Sequence, residues 1–346
     1  METVRPLSPV HDMDMVSAPQ ACPGCGSSAW ARCGVILAAG DGTRLRTMIR
    51  RLRGDLLPKQ YVRFAGRPSM LEQTADRART LIPDERLFVV ASRSHLDFAD
   101  ARAQLHRFSP RQVVVQPVNK ETGPGLLLPL MHLYRRYPES VVAVFPSDHF
   151  IEDDELFMDH VRLGFHLVEQ NPSLILLLGV EPHGPEPDYG YILPGGLIER
   201  GYPSNPRAIA KFVEKPNARL ADDLAAQGAL WNTMVMIFRT RTLLQLVRGV
   251  APELSGRFQS LLMALGTPDE GRVAERIYAG MPSMNLSRDL LEPMAALQPS
   301  PLAVLPMRGV AWSDWGSEGR IRASLSEAAL APPVVGAAAS HPVTQS

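Results

Sequence analysis

The amino-acid sequence predicts an α/β protein: a mostly parallel mixed sheet with helices on both faces. Three observations carry this. Short, continuously apolar runs at 35–38, 87–91 and 141–145 alternate with helical segments, the pattern of strands buried on both faces. The chain has 346 residues, 45% of them hydrophobic, enough for one large α/β domain with a sizeable core. The first apolar run leads directly into glycines, and such sheets hold ligands beyond the carboxyl ends of their strands.

In chain order, residues 1–31 lack periodicity and contain Pro, Ser and Gly, and are expected to be a flexible leader. Residues 35–38 form the first strand. Ser69 and Glu72 have capping-box spacing and open a helix running to about Ile82. A second strand is expected at 87–91, a helix at 95–105 and a third strand at 112–116. Residues 125–137 read as a helix with Pro129 inside it, followed by a strand at 141–145. From 174 the connections become irregular. Strands at 174–180, 189–193, 208–213 and 235–238 read as additions walling the second half of a cleft. Helical stretches follow at about 240–248, 254–265 and 269–279. Residues 327–346 are Ala/Pro-rich and nearly uncharged, and are expected to be a disordered tail. The catalytic domain is then 32–326.

Composition excludes several function classes. Lys plus Arg equals Asp plus Glu at 36 each, so the net charge is +0, which argues against a nucleic-acid binder. Anionic substrates must be held by local groups. The longest apolar runs, such as 174–180, are too short to span a bilayer, and no membrane partner is expected. There are 3 cysteines. Cys22 and Cys25 supply half of a tetrahedral zinc site, and with no histidine near Cys33 they read as a stray pair in the leader. Scarce cysteine fits a reducing cytosol. Assembly into a homo-oligomer is left open.

The chemistry concentrates after strands. Leu37-Ala38-Ala39-Gly40-Asp41-Gly42-Thr43-Arg44-Leu45 ends a strand in a glycine-rich turn, where backbone N–H groups can approach a phosphate. It lacks the Gly-Lys-Ser/Thr of a Walker loop, and Leu45 stands where a dinucleotide fingerprint needs its third glycine. Arg44 adds a planar cation. Lys59, in Pro58-Lys59-Gln60, is a phosphate clamp if an anion is bound beside it, and a solvated lysine otherwise. Asp148 follows the strand at 141–145, the place for a magnesium ligand, although the N-cap of the next helix is also open to it. Asp153 and Asp154 read as helix-start acids.

Taken together, Gly-x-Gly-Thr-Arg-Leu and Pro-Lys-Gln resemble the signature of the nucleotide-sugar pyrophosphorylases, most like mannose-1-phosphate guanylyltransferases. Further segments follow in the family's order. They are Gln116-Pro117 with Thr122-Gly123-Pro124-Gly125, Phe145-Pro146-Ser147-Asp148-His149, Asp188-Tyr189-Gly190-Tyr191-Ile192, Phe212-Val213-Glu214-Lys215-Pro216, Trp231-Asn232 and Trp312-Ser313-Asp314-Trp315-Gly316-Ser317. The resemblance covers about 34–320 and implies a Rossmann-like fold whose added strands form the sugar side of the cleft.

It also implies function. A nucleoside triphosphate, GTP first, reacts with a sugar 1-phosphate, mannose 1-phosphate first, and pyrophosphate leaves. Arg44, Lys59, Asp148 and Lys215 would be catalytic. The nucleotide would lie on Leu37, Ala38, Ala39, Gly40, Gly42, Thr43, Gln116 and Thr122. The sugar would meet Gly190, Glu214, Lys215 and Asn232, and Mg2+ would sit on Asp148 and Asp314. Alternatives are uridylyl or thymidylyl transfer to glucose 1-phosphate, or a non-catalytic regulatory subunit. Departures from the family pattern are Ala39 for Gly, Asp41 for Ser, Gln116 for Glu, and Met234 where glycine is usual.

Overall fold

In the computed structural model, the described residues are 30–202 and 204–324. Cys22, Cys25 and both tails lie outside them. The strands are β1 (Ala31–Leu37), β2 (Leu87–Ser92), β3 (Val113–Gln116), β4 (Ser140–Pro146), β5 (Phe150–Ile151), β6 (Ile175–Val180), β7 (Gly190–Leu197), β8 (Arg207–Glu214), β9 (Leu230–Arg239), β10 (Leu302–Pro306) and β11 (Trp312–Ser313). Nine of them form one sheet in the order β3-β2-β1-β4-β9-β6-β10-β8-β7, and β5 pairs with β11 in a separate ribbon. The fold is α/β and Rossmann-like.

The sheet is parallel from β3 through β4, where apolar strands alternate with helices. Beyond β4 it is mostly antiparallel, with β6 and β10 the parallel exception, so the expected parallel character holds chiefly from β3 through β4. Strand β9 runs antiparallel between β4 and β6, and its first residues also pair with β7. It joins the two halves. It begins earlier than the expected 235–238 because it takes in Trp231 and Asn232, which a bulge opposite Leu177 and Gly179 accommodates. Strand β10 was not anticipated. It is short and flanked by Pro299, Pro301 and Pro306, yet it lies mid-sheet with Leu302, Ala303, Val304 and Leu305 all buried.

Alternation along β1 explains the two cores. Cys33 and Val35 face one layer with Phe88, Val142 and Val144; Ile36 faces the other with Val89, Ala143 and Phe145. Burial pushes the Cys33 thiol up to about 12, so it packs as a small hydrophobe. The capping box at Ser69 and Glu72 opens the helix Met70–Arg79. The helix expected at 95–105 is instead a 3-10 turn, Arg93–Asp97, followed by Ala99–Leu105, with Phe98 extended between them. Buried His95, bound to Tyr61, anchors that turn. The helix Thr122–Arg136 starts before the expected 125, because the Met284 carbonyl satisfies its early Gly123 N–H. Among the described residues, no helix is long and apolar enough to cross a membrane.

Candidate active site

A cleft of about 290 Å³ opens at the carboxyl ends of β1, β4 and β8 and the amino ends of β7 and β9. A side compartment of about 170 Å³ shares Leu37, Gly40, Thr122 and Asn285 with it. Of the residues expected to act, Arg44, Asp148, Gly190, Glu214, Lys215, Asn232 and Asp314 line the larger space. Ala39 and Gln116 line the smaller.

The glycine loop is shaped by the Pro-Lys-Gln segment. The Gln60 amide donates to the Ala38 and Gly40 carbonyls, both at 2.8 Å, and the Tyr61 hydroxyl also donates to Ala38. Gly42 has φ 57°, and a Cβ there would lie 3.3 Å from the Lys59 backbone nitrogen, so glycine lets the turn close on Lys59. Ala38 is buried and its N–H donates to the Val90 carbonyl at 2.9 Å. Thr43 is exposed in the next turn and lies outside the walls of both compartments. Asp41, the departure from serine, faces His95 at 3.4 Å and accepts from Asn119 at 2.9 Å, bracing the loop against the smaller compartment.

The two carboxylates meet through the ribbon. In β11 and β5, Trp312 pairs with Ile151 and Ser313 with Phe150. One more step in that register puts Asp314 opposite His149, beside Asp148. Aromatic rings hold the ribbon: Trp315 stacks on Phe150 at 5.1 Å, and Trp312 meets His149 edge-on at 5.0 Å. The N-cap alternative for Asp148 is excluded, because Asp153 caps the following helix, accepting from Leu156. Asp154 pairs with buried Arg77.

Lys59 lies behind the cleft wall with its side chain 7% exposed, 3.1 Å from Asp148 Oδ2 and donating to the Asp314 carbonyl at 2.6 Å. Burial opposes ionisation of Asp148, but Lys59 and His149 outweigh it and hold its carboxyl below the ordinary value. For Asp314, burial is likewise outweighed, by Lys59, Arg320, the Tyr189 hydroxyl and the Gly316 N–H. Asp314 Oδ1 accepts from Tyr189, Arg320 and Gly316 at 2.7–2.8 Å, while Oδ2 has only Arg44, at 3.4 Å. Arg44 reaches over the opening to Asp188 at 2.8 Å.

On the far wall, the chain turns sharply at Lys215, φ 48°, just after β8. Glu214 Oε2 lies against Gly190, where a Cβ would come within 2.7 Å. Burial pushes the Glu214 carboxyl above its ordinary value, against the pull of Lys215 and Ser287. Met234 has φ 58°, the conformation glycine adopts without strain. The Met234 N–H donates to Asn232 Oδ1, and its sulfur meets the Asn232 amide and the Ser287 hydroxyl. In the smaller compartment Gln116 is 1% exposed and its Oε1 has no partner. Thr122 Oγ1 is spent on the Leu286 N–H.

Sequence reasoning passed over Asn285 and Ser287, which belong to no recognised segment. Tyr189 and Asp188 lie in a recognised segment, but their contacts with Asp314 and Arg44 join segments distant in the chain, and Arg320, six residues after Asp314, belongs to no recognised segment.

Comparison with known proteins agrees with this geometry. The nucleotidyl transferase family profile matches residues 33–319. A mannose-1-phosphate guanylyltransferase of Klebsiella pneumoniae is 28% identical over 82% of this chain and 58% of its own length. A xanthan biosynthesis protein of Xanthomonas campestris pv. campestris is 27% identical over 82% of this chain and 57% of its own. The chain thus spans less than two thirds of these relatives. A crystal structure from Thermus thermophilus, described as a mannose-1-phosphate geranyltransferase, superposes with TM-score 0.68 at 26% identity, covering 82% of this chain and 76% of that one. With its cleft at the strand ends and a family match spanning nearly all the described residues, the chain belongs to the nucleotidyl transferase family.

Proposed function

We propose that this protein transfers a nucleoside monophosphate from a nucleoside triphosphate, GTP first, to a sugar 1-phosphate, mannose 1-phosphate first, releasing pyrophosphate. The observation carrying this reading is the two-compartment cleft with Arg44, Lys215, Asp148 and Asp314 in the walls of the larger compartment and Lys59 paired with Asp148. The smaller space suits a base, the larger a sugar phosphate. A non-catalytic regulatory role leaves that buried charge cluster without a use. The test is pyrophosphate release over a grid of nucleotides and sugar 1-phosphates; no release with any pair overturns the proposal.

In the reaction, an oxygen of the sugar phosphate bonds to the α-phosphorus as the bond to the pyrophosphate oxygen breaks in line. Phosphate is already nucleophilic at neutral pH, so positioning and charge neutralisation are the catalytic task. Arg44 meets the pyrophosphate, Lys59 adds its positive charge from behind the wall beside Asp148, and Lys215 screens the two anions as they approach. Gly40 and Ala39 carry the phosphates along the loop. Among the described residues, no three metal-ligating side chains cluster together. A pair of carboxylates with one oxygen each left largely free fits Mg2+, which takes its remaining ligands from water and substrate phosphates. Bound by Asp148 and Asp314, it would neutralise charge developing on the phosphates.

Glu214 and Asn232 would hold sugar hydroxyls. Gly190→Ala is expected to displace Glu214, the more movable partner, and raise KM for the sugar phosphate about tenfold, equivalent to ~1.4 kcal/mol. The thermal midpoint should change little. An unchanged KM would remove Glu214 from the sugar site.

The orphaned Gln116 acceptor favours a second reading at the base. Guanine presents two adjacent donors, whereas a glutamine amide pairs one acceptor and one donor, suiting uracil or thymine. A buried unpaired donor costs about 1–3 kcal/mol. We therefore expect measurable use of UTP or dTTP beside GTP, and a shift toward GTP in Gln116→Glu. Exclusive GTP use with an unchanged nucleotide preference in that variant would show that Gln116 does not read the base.

A further inference from the structure

The helix Thr122–Arg136 begins at the nucleotide compartment, and its other end forms part of a third cavity of about 420 Å³. The helix is 15 residues long, so a rise of 1.5 Å per residue separates the two by roughly 20 Å. The accessible apolar lining of the cavity is Pro110 and Val113, with buried Phe88 and Val114 behind them, and its rim carries Arg111, Arg135 and Arg136. Several arginines elsewhere end on carboxylates, among them Arg32 on Glu169, Arg107 on Glu72 and Arg320 on Asp314. The guanidiniums of these three form no ion pair or hydrogen bond with any described residue.

The rim is nonetheless built. The Arg135 guanidinium lies against Gly266, where a Cβ would come within 3.3 Å of Nη2, and Arg136 sits 5.8 Å over the Phe88 ring. Glu270 is the one carboxylate among the described lining residues. It accepts from the Gly266 N–H at 2.6 Å and faces His132 at 3.8 Å. Burial lowers the proton affinity of His132; Glu270 opposes this, and Arg136 and Arg135 reinforce it, so both guanidiniums act on the same small volume.

We propose that this cavity is a second, non-catalytic site for a phosphate-bearing small molecule, with its phosphate on Arg111, Arg135 and Arg136 and its apolar part on Pro110 and Val113. Guanidinium forks match phosphate oxygens, and an anion relieves the repulsion of like charges around one concavity. The volume falls in the range of small-molecule pockets, roughly 300–1,000 Å³. The proposal does not depend on the transferase reading.

The test is calorimetric titration of the full chain with inorganic phosphate and with phenyl phosphate, at an ionic strength fixed by sodium chloride. Lys59→Met serves as a background that weakens the catalytic phosphate site. The expected result is saturable binding that survives Lys59→Met, is tighter for phenyl phosphate, and weakens at least ~10-fold in Arg135→Ala/Arg136→Ala. Arg111→Ala, in an exposed turn, should weaken binding as well, and both variants should keep wild-type pyrophosphate release. Phosphate binding that vanishes in Lys59→Met, or is unchanged in the arginine variants, overturns the proposal. So does a change in oligomeric mass of the double variant without phosphate binding, which would make the rim a subunit contact.

Discussion

Asp148→Asn is expected to lower kcat at least ~100-fold, the scale on which lost electrostatic stabilisation acts and equivalent to about 2.7 kcal/mol of barrier. Asparagine keeps the shape and removes the charge. The side chain is 36% exposed, so the fold should survive, and circular dichroism checks this. What disappears is the partner 3.1 Å from Lys59 and one of the two carboxylates proposed to hold Mg2+. The same reasoning makes turnover dependent on a divalent cation. Pyrophosphate release should stop in excess chelator and return with added Mg2+. Full turnover in chelator, or in the variant, would remove the metal assignment.

Lys59→Met is expected to have an effect of similar size, on the order of 100-fold in kcat. Methionine fills nearly the same volume, so the buried site is not left with a cavity. The ammonium that lies 3.1 Å from Asp148 and helps depress both carboxyls is gone. A depressed carboxyl contributes stability above its ordinary pKa of 3.8, and that contribution is lost as pH falls through the lower folded value. Without Lys59, burial dominates at Asp148 and its pKa rises. The acid limb of the pH–rate profile should therefore move upward, and the acid-stability advantage should shrink. Half-saturation by Mg2+ should occur at a lower concentration even as kcat falls, because the metal no longer competes with an ammonium. A kcat near wild type, or an unmoved acid limb with unchanged Mg2+ dependence, would show that Lys59 is only structural.

The parallel half of the sheet was legible from the sequence because its signals are local. β1, β2 and β4 are continuous apolar runs, and burial on both faces leaves that mark whatever their neighbours are. The capping box at Ser69 is equally local. Strand β10 was not legible, since four residues between Pro301 and Pro306 look like a connection until β6 and β8 pair with them. The internal bonds of the glycine-rich loop were not legible for a related reason. A glycine-rich loop is visible as a loop, but which of its backbone groups stay free depends on Val90, which accepts from the Ala38 N–H, and on Gln60, which donates to the Ala38 and Gly40 carbonyls.

The sequence by itself determined the α/β class, the glycine turn after the first strand and the residue types needed for phosphate chemistry, because strand burial, turn conformation and side-chain charge are properties of short segments. Only the tertiary structure decided which charges meet. The β5–β11 ribbon brings Asp314 to Asp148, Lys59 reaches both from behind the wall, and Tyr189 and Arg320 occupy one oxygen of Asp314 while leaving the other largely open. It also brought the Ser287 hydroxyl to the Met234 sulfur and left Gln116 Oε1 without a partner among the described residues. Contacts of this kind join residues far apart in the chain, and they are fixed by the packing of whole strands and loops, which no local pattern encodes.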